Sequence, residues 1–542
     1  MSWPTHEVMN QSPELGDYNL FEADAALREA ANREGAAWAS DALRATGAEL
    51  GRTEVFEAGR LANTYGPVLN AFDARGHRID QVEFHPAWHE LMRGIVARGF
   101  HASPWAEPRP GAHAARAAGY LMQAQVEAGS LCPTTMTYGA IPALSRDPLL
   151  ARDWLPRLMS RDYDPRDVPF ALKRGGLIGM GMTEKQGGSD VRANTTRAEP
   201  DGNGGWALTG HKWFFSCPQI DAHLVLAQTP SGLSCFFVPR WRPDGTKNPV
   251  LVQRLKDKLG NRSNASSEVE FQGAYASLLG EAGRGVPTIL EMGTYTRLDC
   301  VLGTTGLMRQ ALSRAVHHAR HRSAFGAMLV AQPLMRNVLA DMALEVEAAI
   351  ALALRLARAF DEHDDASQHL RRLLTPAAKY WICKRGPELA AEAMEVMGGN
   401  GYVESGAHAR IYREMPVNSI WEGSGNVMCL DVMRALARSP HAADALAAEL
   451  APATGRNADF DRFVGTLHQS LRAGEPDPAS ARRLAQNVVL AVQGALLLQH
   501  APAGIAQAFC RSRLAGDWGY SFGTLPAASD LDRLIQRALQ TE

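Results

Sequence analysis

Glu422 lies in RIYREMPVNSIWEGSGN (410–426), directly before Gly423, Ser424 and Gly425, with Arg410, Arg413 and Glu414 upstream. The Gly-rich segment EVMGGNGYVESG (395–406) comes just before it. A carboxylate on a Gly-rich loop can approach a substrate carbon closely, because few side chains block access. An acid beside glycine is also the composition of a plain turn, so this stretch gains meaning only with others. GMGMTEKQGGSDVRANTTRAE (179–199) sets Thr183 and Ser189 among glycines. Their hydroxyls and the loop's N–H groups suit a polar ring edge or a phosphate, where the bland reading is a turn before a strand. Ser424 and Asn426 precede a helical run, VMCLDVMRAL, whose N-terminus can hold a phosphate. His317 and His321 stand four apart, as helix-borne metal ligands could, but no carboxylate at helical spacing supports them, and no metal is expected.

The elements that must position these residues change character along the chain. After an irregular arm at 7–20, residues 24–160 place apolar side chains three and four apart, as helices do. From about 177 to 280 short β-rich runs such as GWALTGHKWFF, AHLVLAQT and LSCFFVP alternate with Gly, Pro and Asn. Helical period returns at 287–380, 384–397 and 426–437. A last, mostly helical segment, 441–542, is entered through Ser439–Pro440 and divided by a loop at 474–480. This order predicts an α+β protein of successive domains: an N-terminal arm and helical domain (1–176), a middle β domain (177–285), a helical bundle (286–440) and a C-terminal helical domain (441–542). It excludes alternating βαβ units. GMGMTE and GGNGYV both lack the third glycine of a dinucleotide fingerprint, and neither a P-loop nor HExxH occurs.

With 542 residues the chain is too long for one core, and a formal charge of −2 gives no global pull toward nucleic acid or an anionic membrane. Seven cysteines are scattered with no CxxC pair, which reads as free thiols in a reducing compartment. The N-terminus has no basic segment followed by an apolar one, so no secretory signal is expected. The longest apolar run, 488–498, is too short to span a bilayer and contains Gln493 and Gly494. A cytoplasmic protein without membrane association is expected.

Taken together the motifs resemble the acyl-CoA dehydrogenase flavoprotein superfamily. Thr183 to Asp190 match its T-E-x-x-x-G-S-D loop, and HKWFFSCP (211–218) its following K-x-W-I-[ST] strand. RHRSAFGAMLVAQ (320–332) matches its R-x-x-F-G…Q element, with a Phe–Gln gap one residue shorter than in many members. The resemblance implies FAD. Thr183 and the Met182 backbone would bond the isoalloxazine, Phe214 would pack on the ring, and Ser216 would reach its edge. Arg322, Phe325 and Gln332 would reach pyrophosphate and adenosine across a subunit interface, and Ser424 and Asn426 would lie at a phosphate. Arginine suits a pyrophosphate because its fork of N–H donors is permanently charged. Glu422 becomes the base that takes the α-proton of an acyl thioester while the β-hydride moves to flavin N5, and burial would raise its pKa toward neutrality. In GTYTRLDC (293–300) Thr296 occupies the place where another branch carries its base.

Ordinary members of that superfamily correspond to roughly 110–440. The full layout, including THEVMNQ, LKDKLGNRSNAS and YREMPVNSIWEGSGN, resembles the branch tied to the bacterial adaptive response to DNA alkylation. That resemblance implies a homotetramer, sequence-independent binding of double-stranded DNA, protection of DNA, and weak acyl-CoA (isovaleryl-CoA-type) dehydrogenase activity with an acyl-CoA ligand. Trp421 beside the base, and Thr294 where several dehydrogenases place an acid, would shrink or depolarise a CoA channel. A metabolic acyl-CoA dehydrogenase remains the alternative. Beyond residue 440 there are nine arginines, no lysine and ten acids, so DNA binding requires the arginines to share one face. Arg482, Arg483, Arg511 and Arg513 are the tail's candidates, with Arg434 just before it; the tail by itself reads as a helical oligomerisation domain.

Overall fold

The computed structural model describes residues 6–439, 441–472 and 477–541. Pro440 of the expected break, and residues 474–476 of the expected loop, lie outside the described residues. The chain packs as two compact units. One comprises Met1–Thr53, Pro110–Val126 and Cys300–Glu542, and the other Glu54–Arg109 and Glu127–Asp299.

The second unit is built on a seven-stranded sheet. Its strands run in the order Ile178–Gly181, Ala222–Thr229, Arg197–Pro200, Trp206–Ser216, Ser266–Leu279 and Gly232–Pro239, with Val250–Leu255 also on Ser266–Leu279. Ala222–Thr229 pairs Gly232–Pro239 as well, so the sheet closes on itself and hides its edges. Leu208, Phe215, Val225, Phe236, Val269 and Phe271 fill the interior. Ile178–Gly181 runs parallel to Ala222–Thr229 and leads directly into the Thr183 loop. One departure from the helical reading of 24–160 is the antiparallel hairpin Val68–Phe72 and Arg78–Glu83.

The first unit is helical. Pro333–Asp361 and Asp365–Val396 form its centre, and Ala407–Asn418 and Gly425–Arg438 pack on Asp365–Val396. The tail belongs to this same unit. Ala481–His500 packs against Pro333–Asp361, Asp365–Val396 and Gly425–Arg438, and buries Val488, Val489, Val492 and Leu496. Ion pairs fix it further. Arg513 reaches Asp341 at 2.5 Å and Glu345 at 3.2 Å, and Arg537 reaches Glu347 at 2.8 Å and Glu29 at 2.7 Å. Removing the tail would strip apolar cover from the central helices, exposing a large hydrophobic face, and would take Arg513 away from Asp341 and Glu345. A chain ending at Ser439 is therefore expected to be insoluble or to lack a cooperative melt by circular dichroism. A soluble, cooperatively folded truncation would show that the tail is dispensable.

Candidate active site

In the sheet unit, two motifs far apart in sequence are joined by one ion pair. Lys212, on the strand Trp206–Ser216, donates to Glu184 at 2.7 Å and to the Leu226 carbonyl at 2.8 Å. Both charged side chains are fully enclosed, at 0 % exposure. Glu184 also accepts from the N–H groups of Thr195 and Thr196, at 2.7 and 3.1 Å. Burial alone would push its carboxyl up, but Lys212 and these donors hold it well below the ordinary carboxylate range. The pair sets Thr183, one residue before Glu184, against the strand: the Thr183 carbonyl accepts from Trp213 N–H at 2.9 Å. The loop then returns so tightly that a Cβ on Gly188 would stand 2.3 Å from the Thr183 hydroxyl.

Phe214 faces outward at 52 % exposure beneath the Lys256 ammonium, which lies 4.5 Å from its ring centroid. The ladder with Ser266–Leu279 shifts register between Lys212 and Phe215. Ser216 is half-buried and shares Asn264 with the Cys217 thiol. The Met182 carbonyl accepts from the Asn194 side chain at 2.8 Å. Ser189 lies exposed on the same loop. The sheet unit thus presents an apolar ring platform, two hydroxyls and loop donors, a set that fits the edge of a flavin.

In the helical unit, Glu422 sits on the link between Ala407–Asn418 and Gly425–Arg438. Its φ is +59° and that of Gly423 is +102°. The upstream charges are structural neighbours: Arg410 donates to the Val126 carbonyl at 3.0 Å, Arg413 pairs with Glu404, and Glu414 is buried. Ser424 caps Gly425–Arg438 without a side-chain hydrogen bond to its N–H groups. Arg482 donates to Asn426 Oδ1 at 2.9 Å and lies over the Tyr380 ring, and Lys384 flanks Gly425. Free helix N–H groups between two cations fit a phosphate.

Phe325 lies in the hairpin Ser323–Ala324 with Ala327–Met328, Arg322 directly precedes it, and Gln332 follows it at the start of Pro333–Asp361. Phe325 stands at the hairpin turn, fully exposed, with φ +52°. Gln332 braces the hairpin through the Ala324 carbonyl at 3.0 Å. Asn10 of the N-terminal arm holds it from the other side, accepting from Arg322 through its carbonyl and from Ser323 N–H through its side chain at 2.9 Å. His317 and His321 meet the Pro13 and His317 carbonyls.

The arginines expected on DNA fall into different settings. Arg434, Arg483 and Arg511 are exposed, and Arg511 pairs with exposed Asp517 at 2.8 Å. Arg482 sits at the helix N-terminus just described. Arg513 is corrected outright: it is buried against Asp341 and Glu345, beneath the Trp518 ring, and holds the tail to the bundle. Composition cannot separate such an arginine from a surface one. Sequence reading also passed over the joining of Glu184 to Lys212, over Asn10, and over Lys379, whose signal was a lone lysine within the apolar run TPAAKYWIC.

The chain belongs to the acyl-CoA dehydrogenase family. Residues 179–274 match the acyl-CoA dehydrogenase middle domain and 283–437 its C-terminal domain. Residues 10–165 match the N-terminal domain of the adaptive response protein AidB. Over 517 residues, 95 % of each chain, it is 53 % identical to AidB of Escherichia coli (strain K12). It is 31 % identical over 409 residues to acyl-CoA dehydrogenase family member 11 of Caenorhabditis elegans, covering 70 % of this chain and 64 % of that one. Among solved structures, Caenorhabditis elegans ACDH-11 in complex with C11-CoA superposes with a TM-score of 0.85 at 25 % identity, covering 94 % of each chain. The apo form of Bd2924 gives 0.82 at 28 % identity, covering 91 % of this chain and 99 % of that one.

Proposed function

We propose that this is an FAD-containing flavoprotein of the alkylation adaptive response that binds DNA and retains weak acyl-CoA dehydrogenase activity. The observation that carries the reading is the 53 % identity to AidB across 95 % of both chains, including the tail that ordinary dehydrogenases lack. FAD is its cofactor. Thr183, Phe214, Ser216 and the Met182 N–H serve the ring, with Ser189 on the same loop. Arg322, Phe325 and Gln332, with Ser424 and Asn426, serve the dinucleotide. Arg482 joins this second group, because it sits beside Asn426 at an uncapped helix end. When bound, the flavin supplies the hydride acceptor. The chain's own part is to orient the thioester and to take its α-proton at the Glu422 carboxylate.

The test of enzymatic strength is anaerobic flavin bleaching by a panel of acyl-CoA thioesters. Slow, incomplete bleaching, greatest with isovaleryl-CoA, is expected. Fast, complete bleaching by one thioester would make it a metabolic dehydrogenase instead. A homotetramer is also part of the proposal, supported by the exposed apolar side chains Phe325, Leu334, Tyr402 and Ile420 on the helical unit. Among the described residues no helix is long and apolar enough to cross a membrane.

Duplex binding is expected to be indifferent to sequence and steeply weakened by salt, since phosphate contacts displace counterions. Its surface arginines are Arg434, Arg483 and Arg511. Reversing Arg483 to Glu in the full chain should weaken binding several-fold for every sequence and reduce the slope of log K against log salt by about 1. Mobility-shift titrations at several salt concentrations read both quantities. Affinity that ignores salt would end the electrostatic account, and an unchanged Arg483→Glu variant would move the site off this helix.

A further inference from the structure

Lys379 lies inside the helical unit, 1 % exposed, on the helix Asp365–Val396. Its ammonium donates to the Trp421 carbonyl at 2.6 Å and to the Gly423 carbonyl at 2.5 Å. These two carbonyls bracket Glu422. We infer that Lys379 is the positioning residue of the base: it clamps the backbone on both sides of Glu422 and thereby aims the carboxylate. This rests on the reading of Glu422 as the α-proton base.

Three features carry the inference. First, Glu422 has φ +59°, a region unfavourable to a residue with a Cβ, and the next residue, Gly423, has φ +102°. Such a backbone persists only when its surroundings over-determine it. Secondly, the last helical-type bond before Glu422 runs from Trp421 N–H to the Val417 carbonyl at 3.0 Å, and the next helix begins at Gly425, so Glu422 and Gly423 themselves lie between the two ladders. Thirdly, a buried ammonium is unfavourable unless its protons are used, and charge-assisted bonds to the two carbonyls use two of the three. Holding the peptide before Glu422 and the one after Gly423 fixes the plane from which the Glu422 side chain leaves. Freed of the clamp, the loop would relax toward negative φ, and the carboxylate would swing away from its direction. Lys379 contacts no reacting atom in this account; it acts only through the loop.

The experiment compares wild type, Lys379→Met, Lys379→Arg and Glu422→Gln as FAD-loaded full chains. Exchange of the α-protons of isovaleryl-CoA with deuterium oxide is followed by proton NMR. Amide exchange of the segment 419–427 is followed by mass spectrometry. Lys379→Met should slow α-proton exchange by roughly 10²-fold, the scale of a misplacement of about 1 Å, with thioester affinity little changed. It should also speed amide exchange at 419–427. Lys379→Arg, which keeps charged donors, should restore most of both. A Met variant that exchanges α-protons like wild type, or whose 419–427 amides stay protected, overturns the clamp. If the Met variant does not fold, the Arg variant decides: retained exchange supports the clamp and a tenfold or greater loss refutes it. Glu422→Gln separates the two levels. Full exchange in that variant, or none in wild type, refutes the base itself and the clamp with it.

Discussion

Glu422→Gln is expected to lower flavin reduction by an acyl-CoA about 10²–10⁴-fold, the range a positioned general base contributes. Gln keeps the length and shape of Glu and can occupy the same loop, so Lys379 should still hold the Trp421 and Gly423 carbonyls. What it lacks is a lone pair basic enough to accept a proton from carbon. Thr296 offers no replacement. It has no carboxyl, and its hydroxyl already donates to the Gly293 carbonyl of its own helix at 3.2 Å. The loss should appear in the rate of anaerobic flavin bleaching, with FAD content and melting temperature as in wild type. If bleaching by isovaleryl-CoA proceeds at the wild-type rate, another group takes the proton and the assignment is wrong.

The readable part of this site was the part written in local motifs. Glu422 and the Thr183 loop stand out only in combination with the other motifs, because an acid beside Gly-Ser-Gly and a Gly/Ser loop are each also the composition of a plain turn. Arg322, Phe325 and Gln332 come from the resemblance of RHRSAFGAMLVAQ to the family's element and not from spacing, since the Phe–Gln gap is one residue shorter than in many members. Residues whose meaning depends on burial were not legible. Nothing in sequence names the partners of Lys212 and Lys379, yet each is enclosed and bonded to carbonyls across the fold. Arg513 is a sequence candidate for a DNA face, but it is paired with carboxylates on Pro333–Asp361, as Arg537 also is. A helical period tells that a segment is helical and not which neighbour covers it. The tail therefore read as a separate layer although it completes the bundle. The hairpin Val68–Glu83 was lost to the helical pattern around it, its strands being only five and six residues long.

Lys212→Met should be the most damaging single change in the sheet unit. It removes the cation from a carboxylate at 0 % exposure, and an uncompensated buried charge of this kind costs about 3–5 kcal/mol. Since Glu184 follows Thr183 and Lys212 lies two residues before Phe214, loss of the pair should also loosen the ring platform and lower FAD retention. The pH dependence gives a sharper signature. In the native chain Lys212 and the Thr195 and Thr196 donors outweigh burial and hold Glu184 below its ordinary value of 4.5. The unfolded chain then binds the proton more readily, so the stabilisation is complete above about pH 4.5 and is lost as pH falls below it. In Lys212→Met burial acts without the cation, the carboxyl rises, and this acid-side loss should shrink or change sign. The variant would thus be much less stable than wild type at neutral pH and closer to it in mild acid. A double variant, Glu184→Gln with Lys212→Met, buries no charge and should recover part of the loss, because the buried carboxylate is what makes the single change severe. Thermal melts of all three proteins between neutral and mildly acid pH measure this. Equal melting temperatures for wild type and Lys212→Met at neutral pH would show that the pair does not hold the loop.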